Sequence, residues 1–189
     1  MKRLWLVRHG PTHARTLTGW TDLPADLGDG AALARLAAAL PEVPVVSSDL
    51  LRAVATADAI TGARPRLPHD PGLREMNFGR WEGLSAAEVA ARDPDLSRTF
   101  WSDPAAAAPP DGEGWQALVA RVHAATGRLL ARHDELIVVA HFGPILALAQ
   151  RATGESAAEV MGRTVAPLSL GEITIAGPDW SLRRLNVLL

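Results

Sequence analysis

Cysteine and tyrosine are absent from the 189-residue chain, and lysine occurs only at position 2. Without cysteine the chain has no disulfide, no thiolate catalyst and no cysteine-ligated metal. Without tyrosine it has no phenolic acid or nucleophile. All other basic residues are arginines. This bias is typical of a GC-rich genome, although arginine also suits bidentate binding of oxyanions.

Long apolar runs and a net positive charge are also missing. No apolar run approaches the roughly 20 residues that span a bilayer, and the run near the N-terminus is too short for a signal peptide. The net charge of −2 argues against nucleic-acid binding. With 48% hydrophobic and 21% charged residues, we expect a soluble, cytoplasmic protein that forms one domain over residues 1–189.

Hydrophobic periodicity predicts strands that alternate with helices. We expect strands at 3–7, 43–46, 136–140, 169–175 and 181–187, and helices at 30–40, 50–60, 86–92, 115–130 and 143–152. Residues 47–49 offer N-cap side chains to the second helix, and Gly62 suits its end. Residues 63–83 are predicted as a short strand and a loop, and residues 102–114 as an irregular excursion. The alternation predicts an α/β fold with a mainly parallel sheet.

Two of the predicted strands end in a histidine close to a glycine. Val7 is followed by Arg8-His9-Gly10, and Ala140 by His141-Phe142-Gly143. In a parallel sheet both ends lie at the carboxyl edge, so His9 and His141 can meet there. A single histidine at a strand end is more often structural. Two of them, with an arginine beside the first, favour an anion site.

Two further segments can contribute to such a site. Arg52 lies just inside the second helix and can point over the same edge, although a solvated arginine is the alternative. The segment 73–83 contains Glu75 and Glu82 among aromatic and glycine residues. A carboxyl group packed against aromatic rings has its pKa raised by desolvation and can serve as a general acid. The alternative is an Arg/Glu pair on a surface loop.

Together these segments resemble the histidine phosphatase superfamily, which has the phosphoglycerate-mutase-like fold. The matching segments, in family order, are Leu6-Val7-Arg8-His9-Gly10-Pro11-Thr12, Ser47-Ser48-Asp49-Leu50-Leu51-Arg52, Glu75-Met76-Asn77-Phe78-Gly79-Arg80-Trp81-Glu82-Gly83 and Val139-Ala140-His141-Phe142-Gly143-Pro144-Ile145. Each segment alone is a weak signal, whereas the four together are specific. The resemblance implies a three-layer α/β/α architecture.

The resemblance also implies a role for each matching residue. His9 is expected to attack phosphorus and to become a phosphohistidine. Arg8, Arg52 and His141 are expected to hold the phosphoryl oxygens. Glu75 is expected to protonate the leaving group, with Glu82 as the alternative acid. No metal or other cofactor is expected, because two arginines and a histidine cation supply the positive charge.

The chain departs from the family pattern at some positions near these segments. Arg15 stands where the family often has an asparagine that touches the phosphate. It is expected to contact the phosphate, to contact a second anionic group, or to point to solvent. Phe142 stands where a glycine is common and is expected to narrow the pocket. We expect Arg15, Gly19 and Phe142 among the substrate-binding residues, together with Arg8, Arg52 and His141.

Three functions are compatible with this resemblance. A phosphomonoesterase is favoured over a phosphoglycerate mutase, because residues 93–114 contain only Arg98 where mutases carry a basic insertion with paired arginines. A non-catalytic phospho-ligand-binding module is the third alternative. The expected partner is a small phosphate ester, with no nucleic acid and no membrane, and a homodimer is left open. The pattern around 78–113 resembles the α-ribazole phosphatase branch, which makes α-ribazole 5′-phosphate a candidate substrate. Trp81, Trp101 and Trp115 of this chain would either form a hydrophobic wall for an aromatic leaving group or belong to the core.

Overall fold

The computed structural model describes residues 1–189, which are organised around one five-stranded sheet in the order β2-β3-β1-β4-β5. The strands are β1 (Lys2–Arg8), β2 (Val45–Ser47), β3 (Glu135–Ala140), β4 (Leu170–Ala176) and β5 (Asp179–Val187). Strands β2, β3 and β1 are parallel, β4 is antiparallel to β1, and β5 is antiparallel to β4. Only β4 opposes the common direction, which confirms the prediction of a mainly parallel sheet.

Seven α-helices surround the sheet. They are α1 (Gly30–Ala39), α2 (Leu51–Thr61), α3 (Ala86–Arg92), α4 (Pro94–Ser102), α5 (Trp115–Leu130), α6 (Phe142–Thr153) and α7 (Ala157–Met161). Single 3₁₀ turns lie at Pro71–Leu73 and Gly79–Trp81. No helix is both long enough and apolar enough to cross a membrane.

Side chains alternate between the two faces of the strands and define two separate cores. On one face Leu4 and Leu6 belong to a cluster of 26 buried residues, to which α5 and α6 contribute. On the other face Trp5 and Val7 belong to a cluster of 12, to which α1 and α2 contribute. Helices thus cover both faces of the sheet, as the three-layer architecture requires.

The pairing of β1 with β3 brings the two histidine segments together. Their register aligns Arg8 with Ala140, the last residues of the two strands. The backbone N–H of His9 then donates to the carbonyl of Ala140 at 3.0 Å. Parallel register therefore places the residues that follow each strand at the same level of the carboxyl edge.

The predicted capping of α2 by residues 47–49 is wrong in its details. Leu50 is the N-cap residue and provides no side-chain cap. The Asp49 carboxylate instead forms a bidentate pair with Arg74, and an Asp22 oxygen accepts from the N–H of Leu51 at 2.8 Å. Ser48 Oγ does accept from the backbone N–H of Leu50 at 3.2 Å, just before the helix, whereas the N–H of Leu51 and the Asp49 carboxylate have partners from distant segments. Gly62 does end the helix, with a φ of 56° that a side chain would disfavour.

The sequence interpretation missed two helices and simplified one loop. Helix α4 follows α3 directly, because Pro94 ends one helix yet is tolerated in the first turn of the next. Helix α7 carries a capping box made by Ser156 and Glu159. The strand expected within 63–83 is reduced to one bridge between Val45 and Arg66.

Candidate active site

A cavity of about 350 Å³ opens where β1 and α2 meet the loop that follows β1. Its lining comprises Arg8, His9, Thr12, Ala14, Thr16, Leu17, Thr18, Arg52, Glu75, Phe78, Trp101, Phe142 and Met161. Five of the residues expected at the site are thus brought together: Arg8, His9, Arg52, Glu75 and Phe142. The other three expected residues, Arg15, Gly19 and His141, do not line the cavity.

His9 is 6% exposed, and its ring is oriented by a hydrogen bond to the backbone of the next residue. Its Nδ1 lies 2.6 Å from the carbonyl oxygen of Gly10, which can only accept a hydrogen bond, so Nδ1 carries the proton. The Nε2 lone pair is therefore free. Burial lowers the pKa of His9 to about 3, with the nearby Arg52 and Arg8 charges adding to the effect and the bond to Gly10 opposing it. The imidazole is consequently neutral near pH 7.

His141 lies fully buried beside His9, with 4.9 Å between the ring centroids. Its Nε2 is 2.7 Å from Ser48 Oγ, and its Nδ1 has no partner within the chain. Burial is the main cause that holds the pKa of His141 well below its usual value, and the adjacent His9 and the charges of Arg52 and Arg8 also lower it. The expectation of a histidine cation is therefore wrong, because burial beside two arginines favours the neutral ring.

The two arginines keep their positive charge unpaired. Arg52 is 1% exposed, and its Nη2 and Nη1 donate to the carbonyls of Gly19 and Thr21 at 2.6 and 2.9 Å. Arg8 donates from Nη1 to the carbonyl of Val165 at 2.5 Å and lies over the ring of Phe142. Desolvation is the main cause that lowers the pKa of both groups, while Glu75 opposes it. Carbonyl partners orient these guanidinium groups without neutralising them, so both charges are available to an anion.

Glu75 presents one carboxyl oxygen to the protein and the other to the cavity. Oε1 accepts from the backbone N–H groups of Met76 and Gly143, each at 2.9 Å. Oε2 has no hydrogen bond within the chain. Burial raises the pKa of this carboxyl group, against the opposing effects of the Met76 hydrogen bond and the two arginine charges. When the group is protonated, the proton must lie on Oε2, because Oε1 already accepts two N–H groups.

Glu82, the alternative acid, has a different environment. Its carboxylate accepts from Thr21 Oγ1 at 2.6 Å and from the backbone N–H groups of Gly19, Trp20, Thr21 and Phe78. Burial raises the pKa of Glu82, but these hydrogen bonds together outweigh it and bring the pKa below its usual value. Glu82 is thus an ionised anchor for the loop whose carbonyls hold Arg52, and the geometry favours Glu75 as the acid.

Of the three candidate tryptophans, only Trp101 reaches the cavity. It is 45% exposed and belongs to the lining. Trp81 and Trp115 are core residues, and their Nε1 groups donate to Asp93 and Gln150. Each of these tryptophans lies at or near one end of a helix or a 3₁₀ turn. The sequence alone therefore could not distinguish the cavity residue from the two core residues.

The cavity also contains residues to which the sequence analysis gave no role. Thr12 and Phe78 belong to the matching segments, whereas Ala14, Thr16, Leu17, Thr18 and Met161 lie outside them. The structure shows no group of three or more histidine, aspartate or glutamate side chains arranged to hold a metal ion.

Arg15 and Gly19 differ from their expected positions in distinct ways. Arg15 is exposed and lies outside the lining, although its neighbours Ala14 and Thr16 belong to it. Of the alternatives for Arg15, the structure matches the solvent-exposed one. Gly19 is buried behind Arg52, where its carbonyl accepts from Nη2 and its N–H donates to Glu82. Gly19 therefore supports an arginine of the cavity without lining the cavity.

Gly19→Ala is expected to displace the loop that orients Arg52. An added Cβ would lie 2.0 Å from the Met76 carbonyl oxygen and 2.4 Å from Glu82 Oε1, which are both fixed groups. Overpacking of this kind costs about 1–3 kcal/mol. We expect urea unfolding to show that loss and phosphate affinity to fall with it. Gly30→Ala is the control, because nothing lies within 4 Å of its added Cβ; an equal loss in both variants would contradict the proposed clash.

Comparisons with known proteins place this arrangement in a family. The model described as "Histidine phosphatase superfamily (branch 1)" matches residues 4–188. The "Bifunctional protein Rv2228c" of Mycobacterium tuberculosis is 33% identical over 204 residues, which cover 97% of this chain and 53% of that relative. The chain thus spans about half the length of that relative.

Two further relatives are named for a phosphatase activity. An "Adenosylcobalamin/alpha-ribazole phosphatase" of Salmonella typhimurium is 34% identical over 158 residues, covering 79% of this chain and 78% of that protein. Among solved structures, a mycobacterial glucosyl-3-phosphoglycerate phosphatase superposes with a TM-score of 0.86 at 26% identity, covering 100% of both chains.

Proposed function

Because this chain belongs to the histidine phosphatase superfamily, we propose that it hydrolyses phosphate monoesters through a phosphohistidine at His9. The observation that carries this proposal is the cavity in which a neutral histidine, two unpaired arginines and a buried carboxyl group converge. Each group is in the state that phosphoryl transfer needs. His9 has a free lone pair, Arg8 and Arg52 are charged, and the raised pKa of Glu75 favours a protonated acid.

In the first step the Nε2 lone pair of His9 attacks phosphorus. Arg8 and Arg52 stabilise the charge on the non-bridging oxygens throughout the transfer. His141 lies fully buried beside His9 and outside the lining, and its Nδ1 has no partner within the chain, so we expect this nitrogen to donate to a phosphate oxygen once phosphate is bound. As the N–P bond forms and the P–O ester bond breaks, the proton on Glu75 Oε2 moves to the leaving oxygen, which departs as an alcohol.

In the second step water attacks the phosphorus of the phosphohistidine. Glu75, now ionised, accepts a proton from that water, and the N–P bond breaks to return the electron pair to Nε2 of His9. The products are inorganic phosphate and the protein in its starting protonation state. One carboxyl group therefore acts first as acid and then as base.

The apolar lining of the cavity supports a leaving group that is neutral and partly apolar. Phe78, Trp101, Phe142 and Met161 supply apolar surface to the cavity that holds His9, Arg8 and Arg52. α-Ribazole 5′-phosphate, whose leaving group carries an aromatic base, fits this description, and the relative from Salmonella typhimurium acts on α-ribazole phosphate by its name. We therefore propose this ester as the candidate substrate.

The same surface gives little support to mutase activity. A phosphoglycerate mutase must bind a carboxylate in addition to the phosphate, whereas the only arginines of the lining are Arg8 and Arg52 beside His9. Arg98 is exposed and pairs with Asp95. Positive charge for a second anion is thus not supplied by the lining.

A substrate panel tests the proposed function. We expect release of inorganic phosphate from p-nitrophenyl phosphate and α-ribazole 5′-phosphate, with kcat/KM for the latter at least about tenfold above that for 3-phosphoglycerate and glucosyl-3-phosphoglycerate. Activity should persist in EDTA. Isomerisation of 3-phosphoglycerate without phosphate release would instead establish a mutase, and loss of activity in EDTA would contradict the metal-independent mechanism.

A further inference from the structure

Arg121 of α5 lies behind Glu75 and outside the cavity lining. Its Nη1 donates to the carbonyls of Gly72 and Arg74 at 3.0 and 2.9 Å, and its Nη2 donates to the carbonyl of Glu75 at 3.2 Å. The same guanidinium binds the Glu113 carboxylate through Nε and Nη2, at 2.9 and 2.6 Å. One side chain thus joins α5 to three carbonyls of the segment that carries the carboxyl group.

Two side chains of that segment have partners elsewhere, since Arg74 pairs with Asp49 and Glu75 Oε1 accepts from the N–H of Gly143, but no strand or helix supports its backbone. Between the 3₁₀ turns Pro71–Leu73 and Gly79–Trp81 the backbone has no helix or strand to fix it. The carbonyl of Glu75 accepts from Arg121 and from Nε1 of Trp20, at 2.8 Å for the latter. The guanidinium therefore supplies the hydrogen bonds that a neighbouring strand would supply elsewhere, and its side chain is only 21% exposed.

Glu113 fixes the orientation of that guanidinium. A bidentate pair with a carboxylate defines the plane of the donors, which a lysine ammonium cannot do. The backbone N–H of Glu113 also donates to the carbonyl of Asn77 at 2.8 Å. The Arg121–Glu113 pair consequently holds the Glu75 segment on both sides of the acid.

We propose that Arg121 is a positioning residue for proton transfer: it fixes the backbone at residues 72–75 so that Glu75 Oε2 faces the leaving-group oxygen. This inference rests on the proposed function, since it requires Glu75 to act as the acid. Arg121 touches no substrate in this account and acts only through Glu75. Its contribution should therefore depend on how much the leaving group needs a proton.

The test compares kcat/KM for β-glycerophosphate and p-nitrophenyl phosphate in Arg121→Gln and Arg121→Lys. The alkoxide of the first ester requires a proton, whereas p-nitrophenolate leaves without one. Because misplacement of a catalytic group by about 1 Å can cost up to about 100-fold, we expect a loss of about 10- to 100-fold for the alkyl ester and less than about threefold for the aryl ester. In a Glu75→Gln background, Arg121→Gln should change neither value.

Arg128→Gln is the matched control, because Arg128 lies on the same helix and pairs with Asp70 outside the cavity. Arg128→Gln should leave kcat/KM for both esters unchanged. Equal losses for the two esters, no loss for either, or a further loss in the Glu75→Gln background would each overturn the positioning role. If Arg121→Gln does not fold, Arg121→Lys decides the outcome by the same ratio. Failure of the wild-type chain to hydrolyse either ester would instead refute the proposed function.

Discussion

His9→Ala is expected to lower kcat/KM for p-nitrophenyl phosphate by at least about 10⁴-fold, since loss of a covalent nucleophile costs this much or more. The substitution removes the only imidazole of the cavity lining, whereas Arg8, Arg52 and Glu75 keep their partners. Phosphate should therefore still bind to the two arginines. The variant separates binding from chemistry.

A labelling experiment makes this expectation specific to the nucleophile. Brief incubation with a ³²P-labelled ester, followed by an alkaline quench, should leave label on the wild-type chain and none on His9→Ala. His13→Ala is the matched control, because His13 is exposed, pairs with Asp26 and lies outside the cavity. Retained labelling in His9→Ala, or activity within about tenfold of wild type, would refute the assignment of His9.

The expected acid sensitivity of the fold follows from the same residue. The pKa of His9 is lowered from 6.5 to about 3, so the unfolded chain binds more protons than the folded chain between these values. Neutral burial of His9 therefore lowers stability as the pH falls from about 6.5 towards 3 and has no such effect above 6.5. The ring that is suited to attack phosphorus is one that resists protonation in the folded state.

Sequence patterns predicted most of what the strands and the motifs determine. Apolar runs located β1 and β3, and the parallel register then required His9 and His141 to be neighbours. Periodicity could not locate α4, because Pro94 ends one helix and begins another. Local chemistry predicted only part of the start of α2: Ser48 Oγ accepts from the N–H of Leu50 and also contacts His141, whereas the Asp49 carboxylate pairs with the distant Arg74.

The same limit applies to the charges and supports of the site. Whether His141 is a cation depends on burial and on two arginines that only the fold brings close. The role of Arg121 depends on carbonyls of residues 72–75, and a carbonyl group carries no signal in a sequence. Side-chain identity predicts which chemistry is available. The three-dimensional arrangement decides protonation and orientation.

Glu75→Gln is expected to separate esters by their leaving groups. The amide fills the same space but cannot release a proton, so the loss is the contribution of general acid catalysis, about 10²- to 10⁴-fold. This loss should appear in kcat/KM for β-glycerophosphate, which reports transfer to His9 and not the later hydrolysis. For p-nitrophenyl phosphate, whose leaving group needs no proton, the loss in kcat/KM should stay below about tenfold.

The pH dependence of kcat/KM provides a second, independent test of Glu75 as the acid. Burial raises the pKa of Glu75, so the protonated acid persists above the usual range of a carboxyl group and is lost as the pH rises through the raised value. Wild-type kcat/KM for the alkyl ester should therefore fall on the alkaline side, and this fall should be absent from Glu75→Gln. Glu82→Gln is the matched control, because that carboxylate anchors residues 19–21 outside the lining.

Glu82→Gln should lower kcat/KM for both esters by the same factor, because displacement of Arg52 weakens phosphate binding whatever the leaving group is. Folding of Glu75→Gln is not expected to suffer, since an ionised carboxyl group with a raised pKa opposes folding above its unfolded value and the amide removes that charge. If Glu82→Gln rather than Glu75→Gln selectively impaired the alkyl ester, the acid would be Glu82, and the hydrogen bonds that hold it ionised would have to break during turnover.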